Sequence, residues 1–98
     1  MHSFGNVRLF IDCHPMRLMV TLVGLSISEY GVLAVLNKND HIGKNLLEGS
    51  SYKLQLELGE ELLPQPIVVA DLVDKNASQT SLELTFKFHQ PQLNMALG

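Results

Sequence analysis

Apolar and polar residues alternate with a period of two along several short segments of the chain. In residues 52–58, four apolar side chains at even positions alternate with Lys53, Gln55 and Glu57. This alternation is typical of a half-buried β-strand, because successive side chains point to opposite faces. Alternating segments and short apolar runs together predict six strands, at residues 7–13, 18–25, 32–36, 52–58, 67–73 and 82–88.

Turn-forming residues separate these segments. His14-Pro15 ends the first strand, since proline cannot donate a ladder hydrogen bond. Gly24, inside the second strand, indicates a bulge or a sharp bend. Asparagine, aspartate and glycine predict an irregular segment at residues 37–50 and a hairpin-like loop at residues 74–78. A short helical turn is expected over residues 92–98.

The number and spacing of the strands predict an all-β domain. Six antiparallel strands in 98 residues most naturally close into a small barrel or pack as a sandwich. No helical pattern lies between the strands, which excludes a parallel α/β sheet. We therefore predict a single domain over residues 1–98, a small six-stranded antiparallel β-barrel with little or no helix. Whether a longer protein contains this domain stays open.

Composition narrows the functional classes. Apolar residues make up 46% of the chain, and the formal net charge is −3. The acidic balance argues against nucleic-acid binding, which normally needs a basic surplus. No segment approaches the roughly 20 apolar residues of a membrane helix, so no membrane insertion is expected. With one cysteine and no internal disulfide, a reducing compartment is favoured, and we predict a cytoplasmic location.

Candidate catalytic groups are few. The four histidines, His2, His14, His41 and His89, show no metal-ligand spacing. Cys13 falls on the apolar side of its strand, where a buried, inert thiol is the common case. Glu60-Glu61 fits a solvated turn, and Asp71 is expected either to pair with an arginine or to face outward. We therefore predict no enzyme activity, no metal and no cofactor.

Residues 26–31, Ser-Ile-Ser-Glu-Tyr-Gly, form a polar stretch between two apolar strands. The stretch predicts a tight connection. Ser26 and Ser28 are two residues apart, so their hydroxyls should point to the same side of a strand end. Gly31 permits a positive φ and the close approach of a flat ligand to the backbone. Serine hydroxyls and backbone N–H groups can read the edge of a purine, although an ordinary turn is the commoner use of these residues.

The strand order, with Ser26-x-Ser28-x-x-Gly31 leading into an apolar third strand, resembles a PilZ domain. That family is a six-stranded β-barrel that commonly binds the bacterial messenger cyclic di-GMP. Its signature is Asp or Asn, any residue, Ser, two of any residue, and Gly. The resemblance implies that Ser26, Ser28 and Gly31 contact cyclic di-GMP. It also implies a non-catalytic bacterial signalling domain that acts on a protein partner in the regulation of motility or biofilm.

Two departures from the family pattern leave an alternative open. Ser26 stands where the family has Asp or Asn, and the Arg-x-x-x-Arg segment that precedes the first strand of binding members is not present. Arg8 and Arg17 are nine residues apart. The alternative is a PilZ-like barrel that binds no nucleotide and acts as a protein–protein interaction module in pilus, flagellar or secretion machinery. A polysaccharide-binding β-module ranks last, because the chain has no Trp. An oligomer is left open.

Overall fold

A computed structural model describes residues 7–13, 15–58 and 66–92 of the chain. These residues form six strands and one short helix. The elements are β1 (Val7–Cys13), β2 (Met16–Ile27), β3 (Gly31–Asn37), α1 (His41–Asn45), β4 (Ser51–Leu58), β5 (Val68–Ala77) and β6 (Ser81–Phe88). The predicted turn at Glu60-Glu61 and all but the first residue of the predicted helical turn at 92–98 lie outside the described ranges.

The six strands close into a barrel in the order β1-β2-β3-β6-β5-β4, and β4 pairs with β1. Every neighbouring pair is antiparallel. This confirms the predicted small six-stranded antiparallel β-barrel. Because the barrel is closed, each strand has a neighbour on both sides, and most backbone N–H and C=O groups of the strands can form hydrogen bonds.

The inward-facing residues of the six strands form a single apolar core. Phe86 is the largest of the fully buried side chains, and Leu9, Ile11, Leu36 and Leu84 are completely buried beside it. Within the described ranges, no polar or charged residue is buried. The period-two pattern of the sequence therefore records which side of each strand faces the interior of the barrel.

Helix α1 lies within the segment that was predicted to be irregular. Five residues are too few for apolar periodicity to reveal a helix from sequence. Asp40 caps its start by accepting a hydrogen bond from the Gly43 backbone N–H at 2.8 Å. A Cβ on Gly43 would lie 2.8 Å from Leu36 and 2.9 Å from Leu82, so the helix backbone packs directly onto the core at one end of the barrel.

Two bulges shift the register of strand pairing. One lies between Leu22 and Gly24 and confirms the irregularity predicted at Gly24. Beyond it, Ser26 faces solvent. The other lies between Leu72 and Asp74, and β5 continues past it to Ala77.

The predicted loop at residues 74–78 is therefore wrong over its first four residues. After the bulge, Lys75 is paired with the inward-facing Leu84. Its ammonium group donates to the Lys44 carbonyl at 2.6 Å and to the Leu46 carbonyl at 2.8 Å. A lysine that satisfies the carbonyls at the end of α1 explains why a polar segment continues the strand.

Candidate functional site

The β2–β3 hairpin occupies residues 26–31. Ser26 belongs to the end of β2, and Gly31 begins β3. The Ser28 N–H donates to the Gly31 carbonyl at 3.0 Å, and the Tyr30 N–H donates to Ser28 Oγ at 3.2 Å. The stretch is thus a tight connection, as predicted, with only a three-residue turn between the strands.

A groove of about 390 Å³ lies on the outer wall of the barrel beside this hairpin. Ser26, Ser28 and Gly31 all border it, so the three residues singled out in the sequence meet at one surface. Two further lining residues, Val73 and Lys87, come from β5 and β6. No local sequence pattern predicts these two, because they reach the groove only through the pairing of β3 with β6 and of β6 with β5.

Gly31 does not adopt the positive φ that the sequence suggested. Among the described residues, the positive φ belongs to Gly49. A Cβ on Gly31 would lie 2.2 Å from the carbonyl oxygen of Phe86. Glycine is therefore required because the β6 backbone passes directly against it, and the space above Gly31 on that side is filled by the protein itself.

The polar groups around the hairpin differ in whether they are free to form a hydrogen bond with a ligand. Ser26 is exposed, and its hydroxyl has no hydrogen-bond partner in the described part of the chain. Ser28 Oγ accepts from the Tyr30 N–H and retains its own hydrogen for donation. The Tyr30 side chain is 62% exposed, and hydrogen bonding to the Glu29 carboxylate, together with its charge, raises the pKa of the phenol. The hairpin thus presents two hydroxyls and an aromatic ring to the groove.

The last residue of β6 and the chain that follows it hold the hairpin in place. The Phe88 N–H donates to the Tyr30 carbonyl at 2.9 Å, and the Gln92 N–H donates to the Glu29 carbonyl at 2.7 Å. The His89 N–H donates in the other direction, to the Val69 carbonyl of β5 at 3.1 Å. Residues 88–92 therefore connect the hairpin turn to β5 through backbone hydrogen bonds.

Ser51, Asp71 and His89 meet on the surface next to this connection. Ser51 Oγ donates to Asp71 Oδ1 at 2.5 Å, and His89 Nε2 lies 2.7 Å from the same oxygen. Asp71 is 43% exposed, so it does face outward, but its partner is a histidine rather than an arginine. His89 Nε2 also lies 3.3 Å from Ser51 Oγ.

This trio does not have the geometry of a catalytic triad. In a triad, one imidazole nitrogen accepts the serine proton while the other donates to the carboxylate. Here the same nitrogen of His89 faces both groups, and the Ser51 proton is directed at Asp71. The arrangement is a surface clasp that joins β4, β5 and the chain after β6.

The clasp predicts a specific dependence of stability on pH. Hydrogen bonds from Ser51 and from His89 lower the pKa of the Asp71 carboxyl from its ordinary value of 3.8. A carboxyl whose pKa is lower in the folded state stabilises the fold above the unfolded-state pKa, and this contribution is lost as the pH falls through the folded-state pKa. We expect the urea midpoint of the wild-type protein to fall below about pH 4, and to fall less steeply in Asp71→Asn.

Asp74→Asn is the matched control, because Asp74 lies on the same strand, is exposed, and its carboxylate has no hydrogen bond within the described ranges. It should retain the wild-type profile. Identical acid profiles for wild type and Asp71→Asn would contradict the stabilising role of the clasp.

The other residues considered for catalysis or metal binding, Cys13 and the histidines, form no such site in the described ranges. Cys13 is partly buried and packs against the core, and burial, with a smaller contribution from Asp12, raises the pKa of its thiol. A raised pKa reduces the thiolate fraction on which cysteine reactivity depends. In the described ranges, no three His, Cys, Asp or Glu side chains gather into a metal-binding group, and His2 and His14 lie outside those ranges.

The architecture defines a class: a small closed antiparallel barrel with a ligand-sized groove beside one hairpin. Comparison with models of known families, with curated proteins and with solved structures gave no match. In the residues that the structure describes, no helix has the length and apolar character needed to cross a bilayer. The groove and its residues are therefore the features of this chain that bear on its function.

Proposed function

We propose that this chain is a non-catalytic regulatory domain of the PilZ type, and that the groove beside the β2–β3 hairpin binds cyclic di-GMP. One observation carries the proposal. The Ser-x-Ser-x-x-Gly stretch forms the β2–β3 hairpin of a closed six-stranded barrel, and Ser26 and Ser28 border one groove there. This is the setting that the family resemblance implies for a nucleotide contact.

The groups around the groove match the parts of a cyclic dinucleotide. The hydroxyls of Ser26 and Ser28 can donate to, or accept from, a guanine edge. The exposed ring of Tyr30 offers a surface on which a base can stack. Lys87, which is paired with Gly31 across β3 and β6, supplies a positive charge for a phosphate.

The backbone contacts of the hairpin suggest how binding would be transmitted. The carbonyls of Glu29 and Tyr30 are bonded to the chain at residues 88–92, which also holds the clasp residue His89. A ligand that moves the hairpin would therefore strain these hydrogen bonds. In this proposal the altered surface at residues 88–92 is what a partner protein would sense.

Isothermal titration with cyclic di-GMP tests the proposal. We expect the wild-type domain to bind, and Lys87→Ala to weaken the affinity about tenfold, which corresponds to roughly 1.4 kcal/mol. Ser26→Ala should weaken it about fivefold, the effect of losing one hydrogen bond of roughly 1 kcal/mol.

Lys38→Ala serves as the control, because Lys38 is an exposed lysine in the turn after β3 and does not line the groove. It should bind as the wild type does. Absence of heat for the wild type at tens of micromolar protein would overturn cyclic di-GMP as the ligand.

The apolar character of the groove favours a second candidate, a protein-interaction module. Among the described lining residues Lys87 is the single cation, whereas Tyr30 and Val73 are 62% and 49% exposed. Apolar and aromatic side chains at a surface are typical of the centre of a protein–protein contact. Under this candidate, cyclic di-GMP gives no heat, and Val73→Asp abolishes the binding of a protein partner.

A further inference from the structure

A second surface lies on the opposite side of the barrel from the hairpin groove. In the ring of six strands, β1 and β4 lie across from β6 and β3. On the outer face of β1 and β4, a groove of about 310 Å³ runs between Arg17 and Ile67. It adjoins a wider depression of about 650 Å³, with which it shares Asp12, Lys53 and Val69. We call this surface the β1–β4 face.

The β1–β4 face exposes apolar side chains. Ile67 is 62% exposed, Met19 is 42% exposed and Val69 is 39% exposed. Phe10 is paired with Met19 on β2 and lines the same groove as Ile67 and Val69. Apolar side chains clustered on one face of a soluble domain are characteristic of interaction sites.

The same face holds two cations without ion-pair partners. The Arg17 guanidinium stacks on Phe10, 4.2 Å from the ring centroid, and donates a hydrogen bond to Gln55. Lys53 lies on the neighbouring strand β4. Within the described ranges, neither side chain is within ion-pair distance of a carboxylate, whereas Arg8 on the same face binds Glu57 at 2.6 Å.

The two depressions of the β1–β4 face are lined by more cations than carboxylates. Asp12 lies directly across from Arg17 on β2 and from Lys53 on β4, and it is the one carboxylate among the described lining residues. Asp71 adjoins the wider depression at Ser51, but its carboxylate is hydrogen-bonded to Ser51 and His89, so Arg17 and Lys53 remain available to the carboxylates of a partner. Stacking on Phe10 also holds the Arg17 guanidinium group in one orientation before a partner binds, which lowers the entropic cost of binding.

We propose that the β1–β4 face is the docking surface for an acidic, partly apolar segment of a partner protein. The partner's carboxylates would bind Arg17 and Lys53, and its apolar side chains would cover Phe10, Val69 and Ile67. A nucleic acid or another polyanion fits less well, because Asp12 lies between the cations and the rim is apolar.

The positions of the two charged groups set the spacing of the partner's charges. The Arg17 guanidinium reaches across β1 to Gln55 on β4, two residues along that strand from Lys53, which is roughly 7 Å. Four residues of an α-helix rise about 6 Å, so glutamates four residues apart on one helical face match the two cations. Leucines beside those glutamates on the same helical face would contact the apolar rim.

A synthetic helical peptide of this design is the probe, and its twin carries lysine in place of each glutamate. We expect the acidic peptide to shift backbone amide signals of Phe10, Lys53 and Val69 in ¹⁵N-labelled protein, and to bind less tightly at higher salt. The double variant Arg17→Ala, Lys53→Ala should weaken binding at least tenfold.

The double variant Lys38→Ala, Lys44→Ala removes the same charge from exposed lysines that line neither groove, and should bind as the wild type does. Equal binding of the lysine twin, shifts confined to the hairpin groove, or unchanged affinity of the Arg17 and Lys53 variant would each overturn the proposal. Self-association through this face, seen by sedimentation without peptide, would also overturn it by making a second copy the occupant.

Discussion

Replacing Gly31 with alanine is expected to lower the free energy of unfolding by about 3 kcal/mol, at the upper end of overpacking effects. The added Cβ would lie 2.2 Å from the Phe86 carbonyl oxygen and 3.2 Å from its carbonyl carbon. Both atoms belong to the backbone of β6, which is paired with β3 from Gly31 onward and is also held just before Gly31 by the hydrogen bond from the Phe88 N–H to the Tyr30 carbonyl. The clash cannot be relieved by a side-chain rotation, so the strands must separate.

Gly24→Ala is the matched control, measured by urea denaturation with circular dichroism. A Cβ there would lie 3.3 Å from the Cβ and from one methyl group of Val35, contacts that a shift of a few tenths of an ångström would relieve. We expect it to cost about 1 kcal/mol or less. If both variants were equally stable, the close approach of β6 to Gly31 would be wrong.

Phe86→Ala is expected to destabilise the barrel by about 4 kcal/mol, the usual cost of removing a buried phenylalanine. Phe86 is 1% exposed and is the largest of the fully buried side chains. It is paired with Val32 on β3 and with Leu72 on β5, so its loss leaves a cavity shared by three strands. A domain of this size has only about 5–10 kcal/mol of stability, and this variant should be largely unfolded at moderate temperature.

Phe10→Ala tests whether the effect depends on the face of the strand. Phe10 lies on the outer wall, where it is partly exposed and covered by Arg17. We expect a loss of about 1 kcal/mol from its packing and the cation–π contact. Comparable losses for the two phenylalanine variants would contradict the register that places Phe86 inside and Phe10 outside.

The glycine and the serines of the Ser-x-Ser-x-x-Gly stretch have different explanations: the glycine is required for packing, and the serines are proposed to contact a ligand. Gly31 is explained by the packing of β6 against β3, without any ligand. The two serines have no comparable structural role: Ser26 is exposed, and Ser28 closes a local turn. The proposed contact with cyclic di-GMP therefore depends on Ser26 and Ser28 together with Lys87.

The fold was predictable because each strand carries its own signal. Alternation along β4 and β6 shows which residues face the core, and apolar runs mark β2 and β3. The end of β5 was missed because its phase changes at the bulge after Leu72, where a polar segment continues the strand. Helix α1 was missed because five residues carry no periodic pattern.

Residues of the candidate groove were predictable only where they are local in sequence. Ser26, Ser28 and Gly31 could be singled out because they are contiguous with the turn, and their contact with a ligand stays a prediction. Lys87 was not, because it reaches the groove through the pairing of β6 with β3. The clasp was missed for the same reason, since Asp71 and His89 are 18 residues apart and meet through the fold.

The two surfaces suggest a division of roles on one barrel. The hairpin groove is proposed for the nucleotide, residues 88–92 for sensing its binding, and the β1–β4 face on the opposite wall for an acidic segment of a partner protein. Because the strands form one closed ring, both surfaces share the same core. The two proposals are nevertheless independent, since the variants that test them change different residues.

The most direct test of the central proposal is an amide shift titration of ¹⁵N-labelled protein with cyclic di-GMP. We predict saturable shifts centred on Ser26, Ser28, Gly31 and Lys87, with smaller shifts at residues 88–92 through the hairpin hydrogen bonds. Binding at the groove would leave the amides of Phe10 and Lys53 unchanged. A spectrum unaffected by excess nucleotide, or shifts confined to another face of the barrel, would contradict the assignment of this groove as a cyclic di-GMP site.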